Sequence, residues 1–339
     1  MTNSIAQYVL QGDFRAASAV AREQGLPSYA ELVRTAEFLS ATAWLATDAP
    51  DPHIREEAER VLRAVAAISP RWVENAVPRA PVPELMPRTK AAFDSLMVRA
   101  LGDRGYYHPV SLPGLDGPVP PSRFNAPDRS GAYHTTEWTL ARPLLERACG
   151  GSLRDRVIVD AGCADGFFSL NLARAGARVV ALDVAVTMAL RTATFCALNG
   201  LGDRVTVQLG PAQDLPAILD RLRAAFPGLE RVDAVCALGL IYHFDDMTGP
   251  LTALTGLGAP ILFELHACPP EDEAAFDPAH HRNPEPVSLP WLSAWLRRSG
   301  FDTVPEPRWR AAAEALADRP RILRHEMLLA LPAADRPAE

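Results

Sequence analysis

Residues 156–183 read RVIVDAGCADGFFSLNLARAGARVVALD, and this stretch decides the fold. It opens on a short apolar run, Val157-Ile158-Val159, that reaches an acid at Asp160. A glycine-bearing turn follows, Gly162-Cys163-Ala164-Asp165-Gly166. Phe167 to Ala175 then carries apolar residues at helical spacing, and Arg178 to Asp183 is a second apolar run ending in an acid. Strand, tight turn, helix and strand make the βαβ unit of an open parallel sheet, with a carboxylate at each strand end.

Glycine in such a turn lets the backbone approach a bulky ligand, and the helix start behind it offers unpaired N–H groups. Asp183, closing the second strand, is placed to accept two hydrogen bonds from a ribose diol. Two kinds of adenosine cofactor use this plan, and spacing separates them. A dinucleotide fingerprint wants glycine at the first, third and sixth turn positions. Phe167 holds the sixth position here and crowds a pyrophosphate. The pattern Asp160-x-Gly162-x-Ala164-x-Gly166 instead resembles motif I of the class I S-adenosylmethionine (SAM) methyltransferases, with Ala164 in place of the middle glycine. The resemblance implies SAM as cofactor, with Asp160, Gly162, Ala164 and Gly166 at its methionine end and Asp183 and Val184 beside its ribose and base.

The bulk composition sets limits around that unit. The chain has 339 residues, enough for one large domain and a smaller one, and a hydrophobic fraction of 48%, ordinary for a globular protein. No apolar run is long enough to span a bilayer and the N-terminus lacks a signal-peptide core, so a cytoplasmic protein with no membrane partner is expected. The five cysteines are scattered without metal spacing, which fits a reducing compartment. The net charge is −7, Lys90 is the only lysine, and no Lys/Arg cluster is visible, which argues against a nucleic-acid partner.

Residues 1–104 read as helices separated by Gly and Pro breakers, a helical accessory domain that caps the substrate side or forms a homodimer. Residues 105–138 form a connector rich in Pro, Gly and aromatic residues, whose aromatic content argues for order. The cofactor domain spans 139–331 and a polar tail 332–339. Within the domain a helix is expected over 139–149 and another over 185–198, with strands over 204–209, 233–238, 260–266 and 322–331 and helices over 218–226 and 289–299. The fold class is α/β, a Rossmann-like, doubly wound sheet. The resemblance to class I enzymes makes that sheet seven-stranded with its last strand antiparallel. It also places Gln213 and Asp214, just after the third strand, at the adenine amine, and Leu238 of the fourth strand beside the adenosine.

Gly239-Leu240-Ile241-Tyr242-His243 after the fourth strand resembles the tRNA wobble-uridine (5-hydroxyuridine) carboxymethyltransferases and the methyltransferases related to them. Tyr107-His108-Pro109-Val110-Ser111-Leu112-Pro113 is similar to a WYH-x-x-x-LP segment of that set, and Thr136-Glu137-Trp138 to its T-E-W stretch. The tRNA enzymes use a carboxylated SAM held by cationic and tyrosine side chains. Tyr242 matches the tyrosine, but no cationic partner can be matched. Methyl transfer from SAM to an O or N of a small molecule, in specialised metabolism, is therefore the first expectation. A tRNA-modifying enzyme is the second, and a SAM-binding protein without methyl transfer the third. Histidine titrates near neutrality and is the natural base. His243 and His134 are the candidates, with Glu137 to orient an imidazole, and Tyr242, His266, Tyr133, Trp138 and His108 are the expected acceptor contacts. No metal is expected, His280-His281 included.

Overall fold

The computed structural model describes residues 107–109, 111, 131–184, 204–225, 229–279, 285–316 and 324–333, with single positions between 188 and 201. The helical region expected over 1–104, most of the connector, most of the helix expected over 185–198, His280-His281 and residues 334–339 lie outside the described residues.

Seven apolar runs form strands: β1 (Val157–Ala161), β2 (Arg178–Asp183), β3 (Val205–Leu209), β4 (Ala234–Leu238), β5 (Ile261–Ala267), β6 (Phe301–Pro305) and β7 (Arg324–Pro332). They make one sheet in the order β3-β2-β1-β4-β5-β7-β6. The first five pair in parallel, and β7 runs antiparallel to both β5 and β6. This is the seven-stranded Rossmann-like sheet that the sequence predicts. Strand order reverses at β1, which has β2 on one side and β4 on the other. An open α/β sheet presents its ligand crevice at that switch point, outside the carboxyl ends of the strands.

The described helices are α1 (Ala132–Ala148), α2 (Phe167–Arg174), α3 (Leu215–Ala225), α4 (Thr248–Thr255), α5 (Leu289–Arg298) and α6 (Pro307–Leu316). Successive strand side chains point to opposite faces, and two apolar layers result. Ile158, Val179, Cys236, Leu262 and Leu329 pack with Leu145 of α1, Leu172 of α2 and Trp309 of α6. Val159, Val180, Val235, Phe263 and Leu328 pack with Leu219 of α3, Leu251 of α4 and Leu292 of α5. Each such side chain, fully buried, contributes roughly 1.5–3 kcal/mol. All five cysteines are buried free thiols. Among the described residues no helix is long and apolar enough to cross a membrane.

Two differences from the sequence expectation bear on the site. Helix α1 starts at Ala132, not at Thr139, so Tyr133 to Trp138 are helical. Its buried face is Tyr133, His134, Glu137, Ala141 and Leu145, a helical stripe whose first turns are polar and hide the apolar pattern. Strand β6 and helix α6 were not anticipated. β6 is an edge strand buried mainly at Phe301, which leaves a weak periodic signal.

Candidate active site

The turn after β1 is built by its own hydrogen bonds. The Gly162 and Cys163 amides donate to the Leu182 carbonyl at 2.8 and 3.0 Å, tying the end of β1 to β2. Gly166 has φ +80, and a Cβ there would stand 2.9 Å from Thr192 Cγ2 and Oγ1. Ala164 adopts φ 46, a left-handed conformation uncommon for a residue with a Cβ. Two contacts hold it: its amide donates to Asp183 Oδ2 at 2.9 Å, and its carbonyl accepts from the Thr192 hydroxyl at 2.8 Å. The carboxylate of Asp165 is buried and receives the backbone N–H groups of Tyr107 and His108, the latter at 3.3 Å. That contact pins residues 107–108 beside the turn.

Beside this turn the inner face of α1 meets the strand ends. Asp160 accepts a hydrogen bond from the Ser169 hydroxyl. Burial pushes its carboxyl up to about 6; the Ser169 hydrogen bond opposes this and the Asp183 charge adds to it. His134 Nδ1 and Glu137 Oε2 lie 3.2 Å apart and both residues are buried. Burial lowers the His134 pKa to about 3. Burial, then the charges of Glu264 and Asp160, raise that of Glu137. Nε2 of His134 and Nδ1 of His108 are buried without a hydrogen-bond partner. The two rings stand 4.4 Å apart, and His108 stacks on Phe167 at 5.8 Å.

A second group lies across β5 and β7. Glu264 and His266 are two residues apart on β5 and so share a face, and His325 is the register partner of His266. Nδ1 of His325 is 2.9 Å from the Tyr133 hydroxyl and 3.3 Å from Glu264 Oε1. The Trp309 indole N–H donates to Glu264 Oε1 at 3.4 Å. The Tyr242 ring stacks on His266 at 4.3 Å with 3° between planes.

The structure therefore gathers Tyr133, His134, Glu137 and His108, and links them through His325 to His266 and Tyr242. His243 is exposed at the end of the short turn Ile241–His243, its ring 4.5 Å from that of Tyr242. Trp138 is half-buried and packs against the layer that holds α1. Leu238 is buried at the end of β4. Gln213 and Asp214 are exposed in the short helical turn that follows β3. Val184, after Asp183, is the large hydrophobic that is exposed among the described residues, at 69%.

The sequence reading named no metal, and the spacing it weighed could not show this group: Glu264, His266 and His325 each bring a ligand atom, and these lie within 4.8 Å of one another. Glu264 and His266 share a face of β5, and His325 joins them only because β7 returns antiparallel beside it. His325 and Trp309 lie far along the chain and become adjacent only through the fold, whereas Asp165 stands in the turn itself and only its contact with residues 107–108 depends on the fold.

Reversal of strand order at a glycine turn, with carboxylates at the ends of β1 and β2, defines the class as a doubly wound α/β domain with a nucleoside-cofactor crevice. Its residues fit a nucleoside: Asp160, Glu137 and Glu264 are buried acids, and Val184, next to Asp183, is an exposed apolar side chain. Residues 159–256 match a family model described as "Methyltransferase domain". The chain is 28% identical over 233 residues to a tRNA U34 carboxymethyltransferase of Pseudomonas putida (strain W619), covering 66% of this chain and 69% of that protein. It is 27% identical over 280 residues to a protein of the same name from Stutzerimonas stutzeri (strain A1501), covering 78% and 82%. Among solved structures, magnesium protoporphyrin IX methyltransferase from Synechocystis PCC 6803 overlays with a TM-score of 0.45 at 16% identity, covering 62% of this chain and 89% of that one. The protein is a SAM-dependent methyltransferase, and its cofactor is SAM.

Proposed function

We propose that the enzyme moves the methyl group of SAM to an oxygen or nitrogen of a small molecule in specialised metabolism. The observation that carries this reading is a cluster of buried polar side chains, Tyr133, His134, Glu137, Glu264 and His325, that includes no Lys or Arg. Such a cluster suits a compact neutral or cationic acceptor that is enclosed before reaction. SAM supplies an electrophilic methyl on a sulfonium.

The chain's own groups divide the work. Asp183 accepts from the ribose hydroxyls, Val184 and Leu238 flank the base, and Gln213 or Asp214 accepts from the adenine amine. Asp160, Gly162, Ala164 and Gly166 shape the methionine end. His134 takes the acceptor proton on Nε2. The state of Glu137 decides whether it can. A protonated Glu137 donates to Nδ1 and leaves Nε2 as an N–H donor. An ionised one accepts from Nδ1–H and leaves the Nε2 lone pair facing the acceptor. A bound cation favours the second arrangement. Tyr242, His266, Tyr133, Trp138 and His108 contact the acceptor, and His243 stands at its exposed rim.

A second reading has its own support: the relatives named as tRNA U34 carboxymethyltransferases, and Tyr242 in their shared string. Against it, carboxylated SAM adds negative charge to a lining that already holds Asp160, Glu137 and Glu264. A mass-spectrometric assay separates the two. Purified protein is given SAM or carboxy-SAM, with either a panel of phenols, alcohols and amines or unmodified tRNA. Methylated small molecules with SAM alone support the first reading; carboxymethylated wobble uridine with carboxy-SAM overturns it.

A further inference from the structure

We propose that Glu264, His266 and His325 bind one divalent first-row transition-metal ion at the acceptor side of the crevice. The backbone sets the cluster. Residues 264 and 266 share a face of β5, and the β5–β7 register brings His325 directly opposite His266 with the rings 4.6 Å apart. The ligand atoms lie within 4.8 Å of one another, and Glu264 Oε1 is 3.3 Å from His325 Nδ1. Two donors on one ion, each about 2.1 Å from it, stand roughly 3.0–3.4 Å apart in octahedral or tetrahedral geometry. The Glu264–His325 pair already has that value, and His266 has its ligand atom within 4.8 Å of both.

Ligand chemistry and surroundings agree. Two imidazoles and one carboxylate leave coordination positions open for a water or a substrate oxygen, the arrangement of catalytic zinc and non-haem iron sites. Metal ligands need partners that fix their orientation. Here the Trp309 N–H donates to Glu264 and the Tyr242 ring stacks on His266, while the Tyr133 hydroxyl, 2.9 Å from His325 Nδ1, must give that nitrogen up to the ion. His266 is the half-exposed member and marks the approach for an ion. The competing account is a Tyr133–His325–Glu264 hydrogen-bond chain with no ion in it. Ion binding itself does not depend on the reaction. The ion's further role, holding an acceptor oxygen and acidifying its hydroxyl, rests on the methyl-transfer reading.

The test uses the full chain, dialysed against EDTA and then titrated with Zn2+ by calorimetry and with Co2+ by visible absorption. The expected result is one ion per chain with micromolar or tighter affinity, and a Co2+ spectrum typical of nitrogen and oxygen ligands. His266→Ala and Glu264→Gln should each weaken binding at least 10-fold, with thermal melting by circular dichroism confirming that each variant is folded. Binding that is absent from the wild type, or unchanged in both folded variants, overturns the site. SAM titration of the same samples keeps the two ideas apart. SAM binding without metal uptake removes the metal and leaves the methyltransferase reading standing.

Discussion

Ala164 carries the turn through left-handed backbone at φ 46, where the motif it resembles has glycine. The strain for an L-residue there is about 1–2 kcal/mol. Replacing it with glycine relieves that strain but restores about 0.4–1 kcal/mol of unfolded-state entropy. Ala164→Gly should therefore change the melting temperature by no more than a few degrees. Gly166→Ala should behave differently, because the new Cβ meets Thr192 at 2.9 Å as well as the backbone strain. A loss of at least ~2 kcal/mol in urea denaturation is expected for it. Asp183 serves the turn through the Ala164 amide and, on our reading, the ribose as well. Hydrogen bonds to a charged group contribute about 1.5–3 kcal/mol each, so Asp183→Ala should weaken SAM at least 100-fold by calorimetry. Near-normal affinity would show that the ribose lies elsewhere. Asp160 makes a pH prediction. Burial raises its carboxyl from 3.8 to about 6, so the apo fold carries no penalty while Asp160 is protonated. The penalty enters as pH climbs from the unfolded value near 4 through the folded value, and is complete above it at about 3 kcal/mol. A cation bound beside the carboxylate recovers that energy. SAM affinity should accordingly rise about 10-fold between pH 5 and pH 7, and Asp160→Asn should flatten the rise.

At the scale of elements, Trp309 is the pivot on which α6 rests. It is fully buried, its ring lies 5.0 Å from Tyr133 of α1, and its N–H reaches Glu264 of β5. Trp309→Ala should cost about 3–5 kcal/mol of stability and loosen Tyr133, measured as a fall in the urea midpoint and in SAM-dependent turnover together. If stability falls and turnover per folded molecule is unchanged, α6 supports the fold without shaping the site. This helix also shows what a linear reading can and cannot find. The βαβ unit from Arg156 to Asp183 was legible because continuous apolar runs, a glycine turn and strand-end acids are local signals. The start of α1 was not, because its inner stripe begins with Tyr133, His134 and Glu137, and a polar stripe looks like a loop until a polar site is known to lie beneath it. Strand β6 was missed because an edge strand buries little of its surface. Glu264 and His266 were visible as an acid and an imidazole ending a strand. Their partner His325 belongs to a strand paired through a long return, and no spacing encodes that register.

For the whole molecule, charge sets which partners can approach. The chain carries 41 acidic and 34 basic side chains, with a sequence pI near 5.7. A polyanion is held mainly by phosphate contacts from Lys and Arg, which release counterions and make binding steeply salt-dependent. A negative protein with one lysine must concentrate its arginines on one face to achieve this. Several described arginines are instead matched with acids: Arg142 with Glu146, Arg156 with Asp233, Arg204 with Asp155, Arg223 with Asp220, Arg308 with Glu306 and Arg310 with Glu326. Pairing of this kind offsets surface cations locally and leaves the long-range field to the excess acids. Bulk tRNA at 10 µM, a concentration near the tight end of non-specific binding, should therefore give no mobility shift with the full chain in 50 mM salt. A small cationic or neutral acceptor meets no such barrier. A shift that disappears as salt rises from 50 to 200 mM would place a basic track on this molecule and return the tRNA reading to first place; retention of methyl transfer to a small molecule at both salt concentrations, without a tRNA shift, is the outcome the charge distribution predicts.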